Sequence, residues 1–204
     1  MFSDDTYRTI KATSTRVYKE KSSKFIAIAI PVKGEEEVNE QLRTINKDHH
    51  DANHRCFAYR LGFSKEIFRY SDDGEPSGTA GKPIYGQLLS FDLTNILVVV
   101  VRHFGGIKLG VSGLINAYKT ATRELLNDSE IIIKTINDIF DVEFEYENMN
   151  TVMRILKESD TKPFENSFEN KCCIKISIRK SKSDQVIEKL KKINNLTYNH
   201  IQII

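Results

Sequence analysis

Residues 95–113 read NILVVVVRHFGGIKLGVSG. The unbroken apolar run 96–101 predicts a strand covered on both faces, and therefore central in its sheet. Glycines at 105, 106, 110 and 113 then interrupt the chain before a helical period begins. Leu114, Tyr118, Ala121 and Leu125 recur at helical spacing, with Ile115, Thr122 and Leu126 beside them, which predicts a helix to about 126 with Ser112 as its cap. A glycine-rich turn at a helix N-terminus leaves backbone N–H groups bare near a positive dipole end, a natural place for phosphate or another anion. Gly105, Gly106, Gly110, Ser112 and Gly113 are the candidate cradle, with Arg102, Lys108 and Lys82 adding charge. The spacing is neither G-x-G-x-x-G nor a Walker A loop. The same glycines also suit a tight strand-to-helix turn, so both readings stand.

Upstream lies a second dense stretch, SDDGEPSGTAGKPI, residues 71–84. Asp72, Asp73 and Glu75 are oxygen donors of the kind that hold Mg²⁺ or Ca²⁺, although the spacing is not that of an EF-hand loop. Asp73-Gly74 followed by Pro76, with Ser77, Gly78 and Thr79, is also ordinary turn chemistry. A third reading is a charged binding surface formed with Lys82, Arg102 and Lys108. Metal is thus a weak candidate, with Mg²⁺ the ion to test, and no resident cofactor is expected. His54 and His103 stand at strand edges and could serve a metal or general base, but no H-x-x-x-H or C-x-x-C spacing supports this. Arg60 is a further secondary candidate. Cys56 carries no nucleophile signature.

Working outward, residues 7–18 and 24–32 read as a hairpin joined by KEKSS, and 34–47 as an amphipathic helix with acids in its first turn. Strands are expected at 55–63 and 67–70, then a helix to about 91 capped by Thr79 with Pro83 in its first turn. Beyond 131 the pattern changes. Strand signals at 139–146, in FENSFE (164–169), at 172–178 and at 197–204 alternate with helices over 148–158 and 183–193. That β-α-β-β-α-β order is the ferredoxin-like plan. The expected organisation is α+β, with one domain over 1–133 and a second over 138–204.

Charge and composition exclude little but are consistent. The chain is 40% hydrophobic and 28% charged with a net charge of +2, so it carries enough apolar surface for a core and too little net charge to announce a nucleic-acid partner. Arg8, Lys11, Arg16, Lys19, Lys21 and Lys24 face Glu20 alone within 8–24, which reads as a solvated edge-strand face or a basic hairpin. The start MFSDDTYRTIK lacks the apolar core of a secretory signal, and no apolar run is long enough to span a bilayer. Adjacent Cys172 and Cys173 point to opposite faces of a strand and are badly placed to pair. Reduced thiols and a cytoplasmic setting are expected.

HRCFAYR (54–60), the 71–84 stretch and VVVVRHFGGIKLGVSGLINAY (98–118) together resemble the YigZ/IMPACT family. The resemblance covers roughly 7–127, with the tail similar to the small domain appended in bacterial members. Arg55, Phe57 and His103 depart from the usual family residues at those positions, which argues against a strict catalytic role for His103. The resemblance implies an N-terminal domain of the fold shared by a small-subunit ribosomal protein and domain IV of elongation factor G, and a tail similar to domain V of that factor. Its eukaryotic members regulate translation by competing for the activator of a starvation-sensing kinase. It implies no reaction. The expectation is therefore a non-catalytic, translation-linked protein that contacts RNA, the ribosome or a translation factor through the 71–84 and 102–113 loops. The alternative is a metal-dependent enzyme acting on a phosphorylated small molecule.

Overall fold

A computed structural model describes residues 5–168 and 171–204. Contacts divide the chain into two compact units, Tyr7–Lys134 and Thr135–Ile204, the latter joined by residues 5–6. Residues 5–6 were expected in the first domain. They join the second because the Ile136 N–H donates to the Asp5 carbonyl at 2.7 Å and Arg179 pairs with the Asp5 carboxylate.

In the first unit, strands β1 (Thr6–Ile10), β2 (Ser14–Glu20) and β3 (Ser23–Pro31) precede helix α1 (Glu35–Asp48). Strands β4 (His54–Leu61) and β5 (Ile67–Ser71), helix α2 (Gly81–Ser90), strand β6 (Ile96–His103), helix α3 (Gly110–Asp128) and strand β7 (Ile131–Thr135) follow. The five-stranded sheet has the order β2-β3-β6-β4-β5, so β6 lies at its centre. The reason is compositional: every residue from Ile96 to Val101 is buried, and only a strand sandwiched by helices can bury both faces.

Alternation along β6 separates two cores. Ile96, Val98 and Val100 pack with Ile84, Leu88, Tyr118 and Leu125 of α2 and α3, while Leu97, Val99 and Val101 pack with Val38 and Ile45 of α1. Each fully buried valine or leucine contributes about 1.5–3 kcal/mol.

One expectation fails here. The single strand expected over 7–18 is two, because β1 leaves the large sheet to pair with β7. The hairpin proper is β2–β3, closed by Lys21 and Ser22, both at positive φ. Of the basic residues, Lys11 precedes the edge strand β2, Arg16 and Lys19 lie on it, Lys21 is in the turn and Lys24 is on β3; Arg16 pairs with Asp128 and Glu124, and Lys11 with Glu130.

The second unit comprises β8 (Asn137–Phe144), α4 (Met149–Glu158), β9 (Pro163–Phe168), β10 (Cys172–Arg179), α5 (Lys180–Leu190) and β11 (Thr197–Ile203). Glu169, the last residue of the FENSFE stretch, lies outside the described residues. The sheet order β11-β8-β10-β9 is antiparallel throughout, the ferredoxin-like arrangement. Its core unites Val142, Phe144, Ile174 and Ile176 with Val152 and Leu156 of α4 and Val186 and Leu190 of α5. Cys172 and Cys173 are both free thiols. No helix among the described residues is long and apolar enough to cross a membrane.

Candidate functional site

Three neighbouring strands bring the first elements of the site together. Phe25 on β3, Arg102 on β6 and His54 on β4 are direct cross-strand partners, on the face that α2 and α3 cover. Arg102 is 5% exposed although it ends an otherwise aliphatic strand. Its charge is met by the 71–84 loop: Nη1 donates to Glu75 Oε1 at 2.6 Å, and both side chains are buried. The guanidinium lies 5.5 Å from the ring centroids of both Phe25 and Phe104. Nη2 is 3.3 Å from the Ser23 hydroxyl, and Nε has no hydrogen-bond partner among the described residues.

The Glu75 carboxylate is a junction. The Tyr118 hydroxyl of α3 donates to Oε1 at 2.9 Å, and His54 Nε2 lies 3.9 Å from the same oxygen. His54 Nδ1 is 2.8 Å from the Asp73 carbonyl. Beneath Tyr118, the Cys56 sulfur lies 3.3 Å from its hydroxyl oxygen and 2.9 Å from the Asp72 carbonyl, and its single proton serves one acceptor at a time. Burial pushes the Cys56 thiol up to about 12, with nearby carboxylates adding to the effect and the Tyr118 contact opposing it. Burial likewise raises Tyr118, with Cys56 and Glu75 acting in the same direction.

The other two acids go elsewhere. Asp72 organises its own loop: Oδ2 accepts the Gly78 N–H at 2.8 Å, and Oδ1 accepts those of Ala80 and Gly81 at 3.0 and 2.8 Å. Asp72 therefore caps α2 from nine residues upstream, the role expected of Thr79. The Thr79 hydroxyl instead donates to the Pro76 carbonyl at 2.7 Å. Asp73 accepts the Arg55 N–H at 2.6 Å and lies 3.6 Å from the Arg55 side chain. The three carboxylates thus diverge to separate donors, and no group of three or more His, Cys, Asp or Glu among the described residues is placed to hold one metal ion.

Over this floor lies an open cleft of about 450 Å³. His54, Glu75 and Arg102 supply its polar part, Lys108 its exposed cation, and Phe104 and Val111 its most exposed apolar part. The glycine turn shapes the mouth. A Cβ on Gly105 would lie 2.0 Å from the Ser22 carbonyl oxygen, so the turn packs directly on the β2–β3 hairpin. Gly106 stands at φ +89° with open space around it. Helix α3 starts at Gly110 rather than behind Ser112, which is exposed in its first turn, and a Cβ on Gly113 just beyond would lie 3.1 Å from the Leu109 Cβ.

Several candidates fall outside the cleft. Lys82 is exposed in the first turn of α2 and does not line it. His103 follows Arg102 and so faces the opposite side of the sheet, 3.9 Å from Asp51. Arg60 lies six residues along β4 from His54, about 20 Å away, and pairs with Asp92 and the Leu93 carbonyl. Gly74, Pro76 and Ser77 complete the loop around Glu75, with Pro76 on the cleft wall. The sequence reading missed Tyr118, Ser23 and Phe104 as site residues. Tyr118 had left a signal: it is the single hydroxyl-bearing residue in the Leu114, Ala121, Leu125 stripe.

The sequence model of the Impact N-terminal domain matches residues 21–126, the part of the chain that holds this whole arrangement. IMPACT family member YvyE of Bacillus subtilis is 37% identical over 153 residues, 75% of this chain and 70% of its own length. IMPACT family member YigZ of Escherichia coli is 30% identical over 181 residues, 88% of this chain and 89% of its own. A crystal structure described as that of an hypothetical protein superposes with a TM-score of 0.72 at 28% identity, covering 97% of this chain and 98% of the other. The cleft, its Glu75–Arg102 floor and both loops therefore lie in the segment shared with these proteins, and the chain belongs to the IMPACT family.

Proposed function

We propose that this chain is a non-catalytic, translation-linked binding protein of the cytoplasm, and that the 71–84 and 102–113 loops form its docking face toward RNA, the ribosome or a translation factor. The observation that carries the reading is the cleft where the two loops meet, with a satisfied ionic floor beneath an exposed apolar mouth. Phe104, Ile107 and Val111 are 43%, 51% and 60% exposed in one short segment. Contiguous exposed apolar residues beside a polar site mark an interaction surface. Balance favours a protein partner over RNA: Arg102 is already paired with Glu75, which leaves Lys108 as the free cation of the cleft, whereas phosphate contacts need many cations.

Sedimentation of the full chain with ribosomes across a salt series, with and without nuclease, tests the reading. A translation-factor contact survives nuclease and loses little with salt, while an RNA contact falls steeply with salt and is abolished by Lys108→Glu. Absence of sedimentation with ribosomes and with isolated translation factors alike rejects the proposal.

A further inference from the structure

We infer that β5, an open edge of the five-stranded sheet, takes an extended segment of a partner protein as an added strand, and that this segment carries an acidic residue between two apolar ones. The surface is separate from the cleft and does not depend on the reading above, although β5 runs directly into the 71–84 loop.

The edge itself is the first support. The sheet order β2-β3-β6-β4-β5 leaves one side of β5 unpaired. Its register with β4 is continuous from Ile67 to Ser71 without a bulge, so the outer N–H and C=O groups form a regular row. Natural edges are guarded by lysines, prolines, bulges or a covering element. The opposite edge β2 follows that practice with Arg16 and Lys19, and Arg16 is tied to Glu124 and Asp128 of α3. Strand β5 reads Ile-Phe-Arg-Tyr-Ser, with no proline or lysine, and is exposed from Ile67 to Tyr70.

An apolar ledge continues past this edge. Phe68 and Tyr70 share one face of β5, and Tyr85 of α2 stacks on both, with ring centroids 4.7 and 5.9 Å apart. Phe68 and Tyr70 nevertheless remain 49% and 41% exposed, and Leu89, one turn beyond Tyr85, is 46% exposed. Alternate side chains of an added strand would lie against these rings, where β-branched residues pair well with aromatic ones.

Charge decides what the edge accepts. Arg69 stands at the centre of β5 on the other face, exposed, opposite Tyr59 of β4, and has no ion-pair partner among the described residues. A second copy of the chain is thereby disfavoured. Two-fold antiparallel pairing keeps each side chain on its own face, so only the register centred on Arg69 pairs the whole strand, and it sets Arg69 against Arg69. Registers shifted by two residues pair only 67–69 or 69–71 with their own copies. An acidic residue opposite Arg69 turns the same arginine from a barrier into a cross-strand pair. Strand addition to an open edge draws affinity from main-chain hydrogen bonds and specificity from alternate side chains.

The test is amide NMR on the ¹⁵N-labelled full chain, titrated with the capped peptide acetyl-Thr-Val-Glu-Val-Val-amide. Saturable shifts are expected in β5 and at Tyr85 and Leu89, with slowed exchange of the outward-facing β5 amides. Replacing the central glutamate of the peptide by lysine should weaken binding about three- to fivefold, and Arg69→Glu should invert that preference. N-methylation should abolish binding on one alternate set of peptide amides and spare it on the other. Absence of saturable shifts, equal binding of the glutamate and lysine peptides, indifference to N-methylation, or tighter binding of an oligouridylate at the same amides would each overturn the inference. Concentration-dependent shifts of β5 in the chain alone would overturn it too, in favour of a second copy.

Discussion

Glu75 and Tyr118, forty-three residues apart, meet at 2.9 Å on a carboxylate oxygen that also receives Arg102 at 2.6 Å. One buried atom thereby ties the 71–84 loop to the central strand and to α3. A buried charge is stable only with its partner in place, and removing one member of such a pair costs about 3–5 kcal/mol.

Glu75→Ala should therefore destabilise the first unit by about that amount, because Arg102 would be left buried and uncompensated. Hydrogen exchange of the β6 amides reads the loss. The double variant Glu75→Leu/Arg102→Met should recover most of it, and a double variant no more stable than Glu75→Ala would show that the pair itself does not dominate.

Asp72→Ala removes the acceptor of three N–H groups, those of Gly78, Ala80 and Gly81. Loss of a cap costs about 1–2 kcal/mol. Amide exchange across 78–84 should accelerate, while Thr79→Ala, whose hydroxyl bonds the Pro76 carbonyl, should leave the exchange at Ala80 and Gly81 almost unchanged.

Gly105 and Gly106 should respond differently to alanine. At Gly105 the new methyl meets the Ser22 backbone, so the turn must lift off the hairpin, at a cost near the upper end of the about 1–3 kcal/mol seen for overpacking. At Gly106 there is open space and the penalty is left-handed backbone strain, about 1 kcal/mol. Thermal denaturation of the two variants side by side checks the ranking.

Alkaline pH should weaken the fold before the tyrosines of the unfolded chain ionise fully. Burial raises Cys56 from 9.0 to about 12, and burial with a carboxylate partner raises Tyr18 and Tyr59 from 10.0 to about 12. The folded state keeps these protons more tightly, so their contribution is complete below pH 9 and is lost as pH rises toward 12. Cys56 alone accounts for about 1 kcal/mol by pH 10, and Cys56→Ala should flatten the stability profile between pH 9 and 10. In the folded protein a thiol reagent at pH 8 should label Cys173, which is partly exposed, ahead of Cys56 and Cys172, which are buried.

Much of this molecule is written locally in its sequence. The apolar run at 96–101 admits only a central strand, since every side chain on both faces must be buried. The 3.6-residue period of Leu114, Tyr118, Ala121 and Leu125 describes α3, and the alternation at Cys172, Ile174, Ile176 and Ile178 describes β10, because periodicity is the physics of one buried face. The 71–84 and 102–113 motifs also marked the two loops that border the cleft.

Partnerships between distant residues belong to the tertiary structure. No local rule says that Asp72 rather than Thr79 caps α2, that Glu75 rather than solvent meets Arg102, or that Lys82, Arg60 and His103 stand away from the cleft. Those outcomes depend on which strands lie side by side, and Phe25, Arg102 and His54 become neighbours only when β3, β6 and β4 pair in register. Periodicity determines which face a residue occupies, while long-range register decides what it meets there.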